Sequence, residues 1–182
     1  MNKEELIKKI KGSFQDIKYP GDWCLRGSNE GEEPYLLEKE FKGRDDWTNL
    51  SSKFLDQAPD GFSSALSFFS DEAFRFYLPA YIIADLNNKL EETDVLFHLC
   101  HCFTDLNKNS QINPQRYGEK TWFDTGSYKF SVFNKEQARL IIEYLKFKKK
   151  NGDLLDSEKQ EIEEALNSYW NNRLIMNERA DR

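Results

Sequence analysis

The chain has 182 residues, of which 38% are hydrophobic and 32% charged, and its formal net charge is −6. A single domain of this length buries about 70% of the surface that its unfolded chain exposes, so it needs no disulfide or metal to hold a core. The acidic balance argues against a protein that binds nucleic acid by neutralising phosphates, and the high charge argues against residence in a membrane. Cys24, Cys100 and Cys102 have no framework spacing, and the N-terminus carries no apolar signal region. We therefore predict a cytoplasmic protein.

The first sixty residues predict three helices. The apolar positions of the first recur at helical spacing and are Leu6, Ile7, Ile10, Phe14 and Ile17. Pro34 fits the first position of a second helix, and Gly43 marks its end. Asp45 or Asp46 then caps a third helix that carries Trp47.

Residues 65–86, ALSFFSDEAFRFYLPAYIIADL, are the most apolar stretch of the chain. Ser70 is placed to cap a helix there, and Asp71 and Glu72 put negative charge on its first turn. The apolar side chains that follow cover all sides of this helix, so it must be enclosed by other elements. We therefore predict a buried central helix, with the rest of the chain packed around it.

Pro79 lies inside the predicted central helix and removes one backbone N–H, so we predict a kink at this point. Two interpretations of the kink remain open. In the first, it is a bend that lets the helix follow its core. In the second, the freed carbonyl of Arg75 lines a pocket together with Tyr77 and Tyr81.

A short helix is predicted from Thr93 or Asp94 to Phe103, and the next 24 residues, 104–127, are polar and rich in breakers. Such a segment inside a domain is typical of a functional or mobile loop. Weak alternation in residues 120–123 and 128–133 allows one small β-hairpin.

Two further helices complete the prediction. Asn134 with Gln137, and Ser157 with Gln160, have the spacing of capping boxes that open them. The residues from about 177 onward are expected to fray. The sequence therefore predicts an all-α, mainly helical single domain over residues 1–182, with about seven helices.

One cluster of metal-ligating residues occurs in the predicted short helix. His98 and Cys102 lie four residues apart, with His101 beside them and Asp94 one turn earlier. Imidazole, thiolate and carboxylate are competent zinc ligands, but the spacing matches no known zinc motif. The surrounding apolar residues favour packed histidines and inert thiols. We therefore expect no bound metal and no cofactor, and keep a metal-assisted hydrolase that uses these four residues as the alternative.

Three segments resemble a known family. They are Phe41-x-Gly43 with Trp47, the run from Leu66 to Leu86, and Glu164-Ala165-Leu166-x-x-Tyr169-Trp170. The family they resemble consists of bacterial proteins of unknown function, and the Phe-Tyr-Leu-Pro-Ala-Tyr core at residues 76–81 is the most specific part. The resemblance covers most of the chain and implies a small cytoplasmic protein. It implies no activity and no catalytic residue.

The sequence favours a non-enzymatic protein that binds another protein, of an immunity-type or regulatory kind. No nucleophile elbow, phosphate loop or dinucleotide pattern is present. The expected contact residues lie in the polar segment and are Arg116, Tyr117, Trp122 and Phe123. In the alternative, Trp122 and Phe123 fold back and hold the segment against the domain. The acidic residues Glu158, Glu161 and Glu164 form the second candidate surface.

Overall fold

Helices make up the regular secondary structure of residues 1–57 and 65–175, which are the residues that the structure, a computed structural model, describes. Within these ranges there is no β-strand, and two isolated backbone bridges join Arg26 to Phe69 and Gln111 to Thr121. The all-α prediction is therefore confirmed.

The helices range from a single turn of four residues to seventeen residues. Helices α1 to α6 are Lys3–Phe14, Glu33–Phe41, Ser52–Leu55, Ala65–Phe68, Asp71–Leu86 and Val95–Cys100. Helices α7 to α11 are Pro114–Tyr117, Trp122–Phe130, Lys135–Asn151, Asp156–Ala165 and Asn171–Ile175. Short 3₁₀ turns occupy Asp22–Cys24, Trp47–Asn49 and His101–Phe103, and a π-helical segment spans Leu166–Trp170.

The chain divides into two compact units. Unit 1 consists of Met1–Lys9 and Leu96–Arg182, and unit 2 consists of Ile10–Val95. Each unit has its own aromatic core, described separately below. The prediction of one domain over residues 1–182 stays a prediction.

The core of unit 2 is built on helix α5. Eleven of its sixteen residues are buried, as the apolar run predicts. The Phe41 ring lies 4.8 Å from both the Phe69 and the Tyr77 ring centroids, and 5.0 Å from that of Phe54. Phe69 and Tyr77 stack at 4.9 Å. This cluster joins helices α2, α3 and α5 because one ring, Phe41, contacts all the others.

Helix α5 begins as the sequence predicts. The Ser70 hydroxyl accepts the Ala73 N–H at 3.1 Å, so Ser70 is the N-cap. The helix continues through Pro79 to Leu86 without interruption. The kink at Pro79 stays a prediction.

The core of unit 1 lies around two consecutive aromatic residues, Tyr169 and Trp170. The Tyr169 ring stacks on Phe103 with centroids 4.1 Å apart and planes 2° from parallel. The Trp170 indole N–H donates to the Leu99 carbonyl at 2.9 Å. Both rings are buried, and both belong to the π-helical segment Leu166–Trp170.

Three sequence predictions need correction, and a fourth concerns residues outside the described part of the chain. No hairpin occupies residues 120–133, where helix α8 forms instead. The third predicted helix is divided into the 3₁₀ turn Trp47–Asn49 and helix α3. Ser157 does not cap α10: the helix begins at Asp156, and the Glu158 carboxylate accepts the Leu155 N–H at 2.6 Å. The predicted fraying from residue 177 lies outside the described residues.

No helix in the described part of the chain combines the length and the apolar character that crossing a bilayer requires.

Candidate functional site

The polar segment of unit 1 contains a closed loop, residues 110–122. The Trp122 N–H donates to the Ser110 carbonyl at 3.0 Å, and the Ile112 N–H donates to the Lys120 carbonyl at 3.0 Å. An antiparallel bridge between Gln111 and Thr121 lies between these two bonds. These bonds hold the ends of the loop together, as in a compact Ω-type loop.

The tip of the 110–122 loop is a single helical turn, α7, whose four residues are all exposed. Arg116 is exposed and 46% of Tyr117 is accessible to solvent. The Arg116 guanidinium carbon lies 5.0 Å from the Tyr117 ring centroid, within the range of a cation–π contact. Gly118 ends the turn with φ +63°, a left-handed conformation that glycine adopts without strain.

Helix α8 starts directly after the loop through a reciprocal cap. The Thr121 hydroxyl accepts the Asp124 N–H at 3.2 Å, and the Asp124 carboxylate accepts the Thr121 N–H at 2.9 Å. The Thr121 N–H and then the Thr121 hydroxyl, which both donate to the Asp124 carboxylate, lower its pKa. The cap explains why a helix forms where the alternation of residues suggested a strand.

The inner face of α8 holds the segment against unit 1. The Trp122 ring contacts the His101 ring at 5.1 Å, and the Phe123 ring contacts Phe103 at 5.6 Å. A Cβ atom at Gly126 would lie 2.6 Å from the Cys102 Cβ atom, so only glycine lets the helix approach this closely. Trp122 and Phe123 are half-buried anchors, which is the alternative role that the sequence left open for them.

The outer side of this segment is aromatic and cationic. Tyr128 is 71% exposed, and the Lys120 amine lies 5.7 Å from its ring centroid. The Lys120 N–H donates to the Tyr117 carbonyl at 3.4 Å, which connects this pair to Arg116 and Tyr117. We call Arg116, Tyr117, Lys120 and Tyr128 the tyrosine surface.

Sequence reasoning found its first two members and missed the last two. The Thr-x-x-Asp box at Thr121 could have revealed Tyr128, because a helix that starts there places Tyr128 on the face opposite Gly126.

The alternative metal site of Asp94, His98, His101 and Cys102 can be compared with the arrangement of these side chains. In the two described ranges, no three His, Cys, Asp or Glu side chains come together to hold an ion.

Three of these residues, His98, His101 and Cys102, are poor nucleophiles and bases. Burial, and after it the positive charge of the nearby Lys129, lowers the pKa of His98 to about 3. Burial raises the pKa of the Cys102 thiol and lowers the pKa of His101. The His101 Nδ1 atom lies 3.2 Å from the Asn107 side-chain amide, which can donate to it. These groups are therefore neutral, packed side chains at pH 7.

The three pocket candidates lie in unit 2. Tyr77 and Tyr81 are 0% exposed, and the Tyr77 hydroxyl donates to the Arg44 carbonyl at 2.8 Å. Burial raises the pKa of both phenols and lowers the pKa of Arg75, which is half-buried. The structure thus places both tyrosines in the core, where they are not open to a ligand from solvent.

A shallow cleft of about 400 Å³ lies beside the first turn after Phe103 in unit 1. Its acidic lining residues are Asp105, Glu161 and Glu164, and Leu106 stands at its edge with 83% exposure. The Glu164 carboxylate is engaged by the Asp105 N–H at 2.8 Å and by the Gln160 amide at 2.8 Å. Two residues of the second candidate surface therefore line the cleft, and one of them holds local structure.

The whole helical part of the chain matches one protein family. The family of unknown function DUF6714 covers residues 2–174, so the chain belongs to this family. No curated protein and no solved structure matches it. The function of this family is unknown, so a proposal for this protein has to rest on the geometry described above.

Proposed function

We propose that this protein is a non-enzymatic protein-binding module of the bacterial cytoplasm, of an immunity-type or regulatory kind, and that the tyrosine surface contacts its partner. One observation carries the proposal: Tyr117 and Tyr128 are exposed, each lies next to a cation, and backbone hydrogen bonds close the loop that leads to them. Tyr117 is 46% and Tyr128 71% exposed. Tyrosine and arginine are among the residue types that dominate binding energy at protein interfaces.

The anchoring makes these tyrosines suitable for binding. A flexible loop loses conformational entropy when a partner orders it, and this loss reduces affinity. The backbone bonds at 110–112 and 120–122, the Thr121–Asp124 cap and the Phe123 contact with Phe103 already fix the segment. Most of the ordering cost is therefore met in folding rather than in binding.

The metal-assisted hydrolase has no comparable support. Burial lowers the pKa of both of its histidines and raises the pKa of the Cys102 thiol, so each shift favours the neutral side chain. A buried thiol with a raised pKa is a weak nucleophile.

The test compares two variants of the full chain as affinity baits in extracts of the source cells, with quantitative mass spectrometry. Tyr117→Ala with Tyr128→Ala removes both rings of the surface. Tyr35→Ala is the matched control, because Tyr35 in unit 2 is 48% exposed and also lies under an arginine, Arg26, at 4.3 Å.

We expect the double variant to lose about 30-fold in capture of a specific partner, equivalent to ~2 kcal/mol, while its melting temperature stays that of the wild type. The Tyr35 control should capture the partner normally. Full capture by the double variant would place the interface elsewhere, with Glu161 of the cleft as the next residue to change. Absence of any protein enriched over an unrelated bait of equal charge would contradict the binding function itself.

A further inference from the structure

Arg173 of helix α11 lies on a helical face that is otherwise buried and mainly apolar. The preceding buried residues of this face are Ile162, Ala165, Leu166, Tyr169 and Trp170. Position 173 follows Tyr169 by four residues, the spacing that places two side chains on the same side of a helix. A charged side chain at the edge of a core is costly unless its polar groups find partners, so the partners of Arg173 are informative.

The Arg173 guanidinium has one hydrogen bond and no counter-ion among the described residues. Its Nη2 atom donates to the Phe133 carbonyl at 2.6 Å. Its Nε atom is buried and has no hydrogen-bond partner, and no described carboxylate forms an ion pair with the side chain. The residue is half-buried, so its charge lies at the edge of the core of unit 1. Buried polar groups in native proteins are nearly always paired, so the unpaired donor of Arg173 points to a ligand.

Two hydroxyl groups belong to the same cluster. The Ser127 hydroxyl is buried and has no hydrogen-bond partner in the described part of the chain. The Tyr169 hydroxyl donates to the Ser127 carbonyl at 3.5 Å, which is a long and weak hydrogen bond. Burial raises the pKa of Tyr169 to about 12, and the positive charge of Arg173 opposes this shift, so the guanidinium lies near this phenol. We call Ser127, Tyr169 and Arg173 the arginine cluster.

The electrostatic surroundings of the arginine cluster favour an anion. Phe133, whose carbonyl accepts the Arg173 N–H, directly precedes Asn134, the N-cap of the 17-residue helix α9. The N-terminus of a helix carries partial positive charge. The acidic residue in the first turn of α9, Glu136, pairs with Arg139 at 3.2 Å, so its charge is balanced. A water molecule accepts an N–H equally well but leaves the charge of the guanidinium uncompensated, so an anion fits this cluster better.

We infer that the arginine cluster binds an oxyanion, a phosphate or a carboxylate group. A guanidinium binds either group through two parallel hydrogen bonds, and the hydroxyls of Ser127 and Tyr169 can donate to the remaining oxygens. Charge selects this class of ligand over a neutral or a cationic one, because the cluster contains one positive charge and no acidic side chain. The inference goes beyond the proposed contact with a partner protein and does not depend on it.

The experiment follows the Nε–H signal of Arg173 by NMR in the isotope-labelled full chain, while inorganic phosphate is added at constant ionic strength. A buried N–H is protected from exchange with water, so its signal is resolved. We expect a saturable shift of this signal with a Kd of about 1 mM or lower. A parallel titration with acetate distinguishes the two sources of the oxyanion: the anion that binds more tightly names the group, phosphate or carboxylate.

Three variants locate the binding, with the backbone N–H signals of Phe133 and Asn134 as reporters. Arg173→Gln should weaken the tighter anion at least tenfold, and Ser127→Ala, which keeps the positive charge, should weaken it about threefold. The control Lys150→Gln removes an equal charge from the other end of α9, ~22 Å away, and should leave the Kd within about twofold.

A shift that grows linearly with phosphate, or that sodium chloride reproduces, would overturn the inference. Equal affinities for Arg173→Gln and the wild type would also overturn it. If Arg173→Gln does not fold, the wild-type titration and Ser127→Ala decide the matter, and an unchanged Kd in Ser127→Ala counts against the cluster. None of these results bears on capture of a partner by the tyrosine surface, so the two proposals fail separately.

Discussion

Helix α5 of unit 2 and helix α8 of unit 1 are stabilised in different ways. Eleven of the sixteen residues of α5 are buried, whereas only Gly126 and Phe130 are buried among the nine of α8. Helix α5 forms because most of its apolar side chains are removed from water when the chain folds. Helix α8 forms because Thr121 and Asp124 cap it and because Gly126 lets it approach Cys102 closely.

This difference indicates which residues of the two helices are needed for folding and which are not. Most side chains of helix α5 are buried, so most of them serve folding. Helix α8 needs only its inner face for folding, so its outer face, which carries Tyr128, can carry residues selected for another purpose. We therefore expect substitutions in α5 to change the free energy of unfolding, and substitutions on the outer side of the 110–130 segment to leave it unchanged.

The largest effect should follow from Phe74→Ala in α5. Phe74 is 0% exposed, so its removal leaves a cavity in the core of unit 2 and should lower the free energy of unfolding by about 3–5 kcal/mol. Urea unfolding followed by circular dichroism measures this loss. A variant with the wild-type midpoint would mean that α5 is not the core of its unit.

A smaller effect should follow from Gly126→Ala in α8. The new methyl group would lie 2.6 Å from the Cys102 Cβ and 2.8 Å from the Phe103 ring, and such overpacking costs about 1–3 kcal/mol. Gly12→Ala in α1 is the control, because no atom lies within 4 Å of its added Cβ. Alanine at position 12 should stabilise the helix by up to ~1 kcal/mol. Equal shifts in melting temperature for the two variants would show that α8 does not depend on this contact.

The sequence predicts those elements whose signals are local and strong. The apolar run with Ser70 specifies α5, and the Asn134–Gln137 box specifies α9, where both bonds of the box form. Helix α8 was missed because alternating Tyr128 and Phe130 resemble a strand, although the Thr121–Asp124 box is the stronger signal. In the structure this local cap and a tertiary contact decide the conformation.

The candidate site could be predicted only in part, for a reason that is also physical. Arg116, Tyr117, Trp122 and Phe123 are all suitable interface residues by type, and sequence cannot tell which of them face the domain. Closure of the 110–122 loop depends on backbone hydrogen bonds between residues distant along the chain, which no side-chain pattern reveals. The structure divides the four: Trp122 and Phe123 pack inward, and Arg116 and Tyr117 face solvent.

The division between an anchoring side and a contact side is the central claim, and a pair of single variants tests it most directly. The measurement is the free energy of unfolding of Phe123→Ala and of Tyr117→Ala under identical conditions. We expect Phe123→Ala to lose about 2 kcal/mol, because its half-buried ring contacts Phe103 and Tyr169, and Tyr117→Ala to stay within about 0.5 kcal/mol of the wild type. Equal losses for the two variants, or a greater loss for Tyr117→Ala, would contradict the division.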